Sequence, residues 1–281
     1  MLKFLLIACL AIRLPAIEIV GSDILKDTLK DIDKLPGSPK ASFTGTMPAR
    51  RALLEDRANI GIIFLKETDE DPKPAAGVFF NRYLLANAAA VLVVHKENQL
   101  TQINLEGIKG IFSKSARYPA TNWNDLPGSN QSEIISPIIY SPQGSFVQEM
   151  FVGFVLNGDE FKTNVKQRLE AITIQENIEA RFGVAAIMPA TISTTGRIMS
   201  ISDGRPGRPT VAYPPDEMNI YNGDYPLRLP LYIYVRADKE KELGKILIWL
   251  LSDEVAERIK KQGLYPTPKT IRARISQRLD R

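Results

Sequence analysis

The chain has 281 residues, 36 Lys and Arg against 32 Asp and Glu for a net charge of +4, one cysteine and one histidine. So mild and interspersed a charge argues against a nucleic-acid partner. A single Cys excludes an internal disulfide framework, and a single His, His95, excludes a His-rich metal site.

The first sixteen residues, MLKFLLIACLAIRLPA, place Lys3 before an apolar stretch and a small residue at Ala16. They read as a secretory signal peptide (1–16) cleaved after Ala16, too short to span a bilayer as a helix. A buried first strand, an uncleaved anchor and lipidation at Cys9 in LIAC are the competing readings. Cleavage would remove Lys3, Cys9 and Arg13, leaving about 265 residues with no cysteine and a charge of +2, enough chain for two lobes.

IEIV reads as a strand, followed through Gly21-Ser22 by a helix with Ile24, Leu25, Thr28, Leu29 and Ile32 on one face. ASFT is a second strand, and Gly45-Thr46 leads into a helix with Pro48 near its start. IGIIF is a continuous apolar run, as a strand buried on both faces of a parallel sheet requires. ETDEDPKPAAG is a charged loop; VFF and AAAVLVV read as two further strands. At VLVVHKENQL the character changes, which suggests a crossover between lobes. INLEGIKGIFS is then a helix and SPIIY a strand, followed by VQEMFVGFVLNG as a helix ending at Gly158. VKQRLEAITIQENIEARF reads as mostly helical, VAAIM as a strand, SISDGRPGRPTVAYPPDE as a surface loop and LPLYIYV as a strand. Leu243, Ile246, Leu247, Leu250 and Leu251 mark an amphipathic helix. Ser252 is placed to cap a second one, with Glu254–Arg258 and Glu257–Lys261 as i,i+4 pairs.

Three strand ends run into Gly-Ser or Gly-Thr turns: Ser22; Gly45 and Thr46; and Ser141, Gly144 and Ser145. Such junctions aim free N–H groups and a hydroxyl at one point, which suits a small anion. None carries the Lys of a nucleotide-binding loop. Each turn alone is equally compatible with plain α/β geometry; three together point to a shared cleft for a small anionic or polar solute. No Ser lies in a GxSxG context and a Ser-His or Cys-His mechanism would have to use His95. A binding protein rather than an enzyme is expected, with no metal and no cofactor.

GIKGIFS…TNWNDL, YNGDYPLRLPLYIYV and WLLSDEVAERI…GLYPTP, in that order, resemble the phosphate-binding protein of the high-affinity phosphate ABC transporter. The resemblance implies an α/β, two-lobed type II periplasmic binding fold, each lobe a mostly parallel sheet flanked by helices. With the crossover at VLVV, lobe 1 is expected to comprise 17–92 plus 201–281, and lobe 2 93–200. It also implies an exported, periplasmic protein that captures phosphate or a related oxyanion between the lobes and delivers it to a membrane permease. At the ligand positions Ser22, Thr46 and Ser145 keep hydroxyls. Ser141 stands where the family has Arg, Phe146-Val147 where it has Gly-Thr, and Phe64 where it has an acid. Arg50 and Arg51 are candidates for the missing positive charge or are plain solvated helix residues. Degenerate loops leave an alternative, a non-transport accessory or sensor protein of the same fold whose partner is another protein.

Overall fold

The computed structural model describes residues 17–281, except 67–68, 74–76, 78, 143–145 and 205–209 and the side chains of Glu149 and Phe154. The signal-peptide segment lies outside the described residues.

In chain order, β1 (Glu18–Gly21), β2 (Lys40–Phe43), α1 (Thr46–Leu54) and β3 (Ile60–Phe64) build one side, followed by the long β4 (Phe80–Val94). β5 (Gln102–Asn104), α2 (Leu105–Phe112), β6 (Ser136–Tyr140), α3 (Phe146–Met150), β7 (Lys166–Arg168), α4 (Ala171–Ala180) and β8 (Val184–Pro189) build the other. β9 (Arg197–Ile198), β10 (Ser200–Ser202), α5 (Glu217–Asn222) and β11 (Arg228–Arg236) return the chain. It ends with α6 (Gly244–Leu250), α7 (Asp253–Lys261), β12 (Tyr265–Pro266) and α8 (Lys269–Leu279).

The fold is α/β and two-lobed, along the path β2-β1-β3-β11-β4-β8-β6-β7. A parallel trio sits at each end: β2-β1-β3 and β8-β6-β7. Between them β11 and β4 run antiparallel to their neighbours. β4 joins the two sides: its first part pairs with β11 and its last five residues with β8. The sequence suggests two strands here, VFF and AAAVLVV. Asn81, Arg82, Tyr83 and Asn87 make the stretch look interrupted, yet each finds a partner in place: Asn81 and Tyr83 on Glu240, Arg82 on Asp71, Asn87 on Arg228.

The β4–β11 register shifts between Leu231 and Tyr232, a bulge that sharpens local twist. Two β4 carbonyls at this irregularity are taken by Thr267, whose N–H donates to Leu85 and whose hydroxyl donates to Leu84. An unpaired buried carbonyl would otherwise remain there.

After β1 the expected helix is replaced by two short 3-10 turns, Asp23–Leu25 and Ile32–Lys34, joined by tight turns. The apolar face still exists, since Leu25, Leu29 and Ile32 are buried; the chain winds more tightly to return to β2. VQEMFVGFVLNG divides into α3 and a π-helical turn, Phe151–Val155. Lys166–Arg168 pairs as a strand because it edges β6, so helix begins only at Ala171. Ser252 caps α7 as expected, its hydroxyl accepting from Val255 N–H at 3.2 Å, and Glu254 pairs with Arg258 at 2.6 Å. Glu257 pairs with Lys260 rather than Lys261.

Candidate functional site

β1 leads to β2 on one flank and β3 on the other, so the chain reverses direction across the sheet at β1. In parallel sheets, ligands sit beyond the carboxyl ends of strands at such a point. A cavity of about 540 Å³ opens there, lined by Ser22, Gly45, Thr46, Phe64 and Lys66 from the three strand ends and by Phe146 and Met150 of α3. Smaller hollows of about 180 and 330 Å³ lie elsewhere, beside Gln102 and His95 respectively.

Local sequence explains the polar wall. Gly45 has φ 123°, which an L side chain rarely adopts, and it starts α1 directly after β2. Helix geometry leaves the N–H groups of Thr46 and Met47 without intrahelical acceptors, while Pro48 has none to satisfy. Ser22 is buried and its hydroxyl leans on Asp23 at 3.3 Å. Its N–H donates to Ile62 O at 2.9 Å, and that of Gly45 to Gly21 O at 3.2 Å. These two N–H groups extend the parallel ladder by one residue and so do not point at a ligand.

Two cations line the cavity. Arg50, on the first turns of α1, donates through Nη2 to Glu70 O at 3.2 Å; its Nε is sealed from solvent and has no partner among the described residues. Arg51, one residue on, is exposed and pairs with Glu55 at 2.7 Å. Of the two sequence candidates, Arg50 faces the cavity and Arg51 is a solvated helix residue. Lys66, half-buried two residues past β3, donates through Nζ to Gly153 O at 2.8 Å. Burial pulls its ammonium below the usual lysine range, and nearby Asp69 opposes that shift. Asp23 and Asp69 also line the cavity, and both are exposed.

The third turn differs. Ser141 is not among the cavity-lining residues: its hydroxyl donates to Gln148 and its N–H to Arg168 O at 2.8 Å. Gly144 and Ser145 lie outside the described residues. Val147 is buried in the core, while Phe146 reaches the cavity. Sequence reasoning passes over Lys66, Met150 and Leu229. Lys66 carries a usable signal, since the residues following a parallel strand face the ligand side.

Residues 20–254 match the family model of the PBP superfamily domain. The chain belongs to the PBP superfamily. This PBP-superfamily chain is 24% identical over 253 residues to the phosphate-binding protein PstS of Pseudomonas aeruginosa, covering 81% of this chain and 73% of that one. Its fold matches a possible phosphate binding protein from Planctomyces limnophilus with a TM-score of 0.74 at 17% identity, over 94% and 97% of the two chains. PstS from Borrelia burgdorferi matches at 0.71 and 16%, over 89% and 98%. An ABC-type phosphate transport receptor from Vibrio cholerae matches at 0.62 and 16%, over 90% and 100%.

Proposed function

We propose that the protein is an exported solute-binding protein that captures phosphate or a related oxyanion in this cavity and presents it to an ABC-type permease. The observation that carries the reading is the cavity itself: the first turn of α1, the hydroxyls of Ser22 and Thr46 and the cations Arg50 and Lys66 meet at the carboxyl ends of β1, β2 and β3. Charged donors on an oxyanion are stronger than neutral ones, so the two cations supply attraction while N–H and hydroxyl groups fix orientation. The relatives' names, a phosphate-binding protein and a phosphate transport receptor, support the same ligand class. The protein works by binding and release, not by bond chemistry. Its lobes divide as 17–92 plus 201–281 and 93–200 and close on the solute by rotating about the strands that join them. The segment 1–16 directs export and is removed, leaving the binding protein in the periplasm.

Isothermal titration with phosphate, sulfate and a neutral sugar tests the reading. Saturable binding of at least one oxyanion with no response to the sugar is expected. Silence towards every oxyanion overturns it. Mass spectrometry of the native protein is expected to find a chain beginning near Ile17, and an intact amino terminus would remove the export reading.

A further inference from the structure

The cavity offers more than a bare oxyanion uses. At about 540 Å³ it falls among pockets of ~300–1,000 Å³ that enclose drug-sized organic molecules, whereas a tetrahedral oxyanion has few heavy atoms. Eight of the fifteen described lining residues are apolar, Ile24, Met47, Phe64, Phe146, Met150 and Leu229 among them. A small anion held by the polar wall would leave this apolar surface in contact with water, forgoing the gain from its burial. The two walls already touch, since Lys66 Nζ reaches Gly153 O at 2.8 Å.

Proton bookkeeping points the same way. A phosphate monoester has its second pKa near 6 and is mostly a dianion at pH 7, with acceptor oxygens only. Hydrogen phosphate and dihydrogen phosphate keep at least one O–H that wants an acceptor. At the end of β3 the cavity presents the ring of Phe64, and among the described residues the carboxylates lining it are Asp23 and Asp69, both exposed. Among the described lining residues the half-buried charges are donors, Arg50 and Lys66, and Arg50 Nε has no partner among the described residues.

Resting on the reading of this cavity as an oxyanion site, we propose that its preferred occupant is a monosubstituted oxyanion, a phosphate monoester or phosphonate carrying an apolar body. The head lies against Arg50, Lys66 and the first turn of α1. The body lies against Phe64, Phe146 and Met150.

The test is calorimetric titration of the purified protein with inorganic phosphate, phenyl phosphate and phenol. Phenyl phosphate is expected to bind at least about tenfold more tightly than phosphate, and phenol to give no measurable heat. Met47→Ser, at an exposed position, and Phe146→Ser are expected to weaken phenyl phosphate several-fold more than they weaken phosphate. Unaltered thermal unfolding of Met47→Ser keeps the test valid should Phe146→Ser fail to fold. Phosphate binding as tight as that of phenyl phosphate overturns this inference and leaves the proposed function standing. Phenol binding as well as its ester also overturns it. Binding of neither anion overturns this inference, and silence towards sulfate as well removes the proposed function with it.

Discussion

Two groups of cations in this molecule are held in opposite ways. Beneath the carboxy-terminal helices Arg272 is 7% exposed and fully engaged: Nε on Thr267 O, Nη1 on Leu251 O and Nη2 on Asp253, each at 2.8 Å. Arg258 is similarly occupied by Glu254, Asp31 and the Thr28 carbonyl. At the cavity, Arg50 leans on the main-chain carbonyl of Glu70, and Lys66 counts the Gly153 carbonyl among its partners. A cation surrounded by carboxylates and carbonyls locks a fold and has little field left over; Arg50, resting on a neutral carbonyl with its Nε unpartnered among the described residues, keeps its charge for an incoming anion. The difference separates scaffold from site using partners alone.

Breaking the scaffold group gives the largest effect. Arg272→Met orphans two carbonyls and leaves Asp253 with Lys269 alone among the described residues, and a loss of about 2–4 kcal/mol in urea unfolding is expected, with oxyanion affinity unchanged. A matched loss of affinity would erase the distinction. The acid side of the same group titrates. Hydrogen bonds from Lys269 and Arg272 hold Asp253 below the usual aspartate range, and bonds from Lys34 and Arg258 do so for Asp31. A depressed folded pKa stabilises above the unfolded value of about 3.9 and loses that contribution as pH falls through the folded value. Unfolding followed from pH 5 to pH 2 is expected to show stability falling, and Arg272→Met to flatten part of that fall.

Next come the site cations. Arg50→Gln and Lys66→Met are each expected to reduce oxyanion affinity by about 1.5–3 kcal/mol, as for a hydrogen bond to a charged group, with little change in melting temperature. Because burial lowers the Lys66 pKa, oxyanion binding should weaken as pH rises into the window below 10.5, and Lys66→Met should lack that limb. The same depression makes stability rise with pH in that window, since the unfolded chain there binds more protons. Ser22→Ala and Thr46→Ala remove neutral donors and are expected to cost about 1 kcal/mol of binding each. Arg51→Ala, beside Arg50 in sequence but paired with Glu55 in solvent, is expected to leave both titration and melting unchanged.

Much of this was legible in the sequence where one residue's local chemistry decided the outcome. The IGIIF run announced a doubly buried strand, the Ser252 hydroxyl announced a cap, and Gly45-Thr46 announced a strand-to-helix turn that does line the cavity. What stayed hidden depended on distant partners. β4 looks broken until Glu240, Asp71 and Arg228 arrive to satisfy its polar residues. Lys66 sits in a charged loop and gains its meaning from a carbonyl 87 positions away. Ser141 shares its composition with the other turns, but a neighbouring Gln148 takes its hydroxyl. The last helix, α8, was passed over because its one buried residue is a charged one, Arg272, with only Ile275 and Leu279 packing apolar surface on the core.

Thr267 seals an irregularity in β4 that lies 183 residues upstream. The strand common to both lobes is thus finished by a residue from the far side of the sequence, after every strand of the main path has been laid down. Contacts between residues so far apart in sequence carry a loop-closure entropy that the packing must offset. A chain released before Thr267 would own every strand of the sheet's main path and still carry two bare carbonyls at its centre. The middle of the sheet is therefore completed from outside its main path.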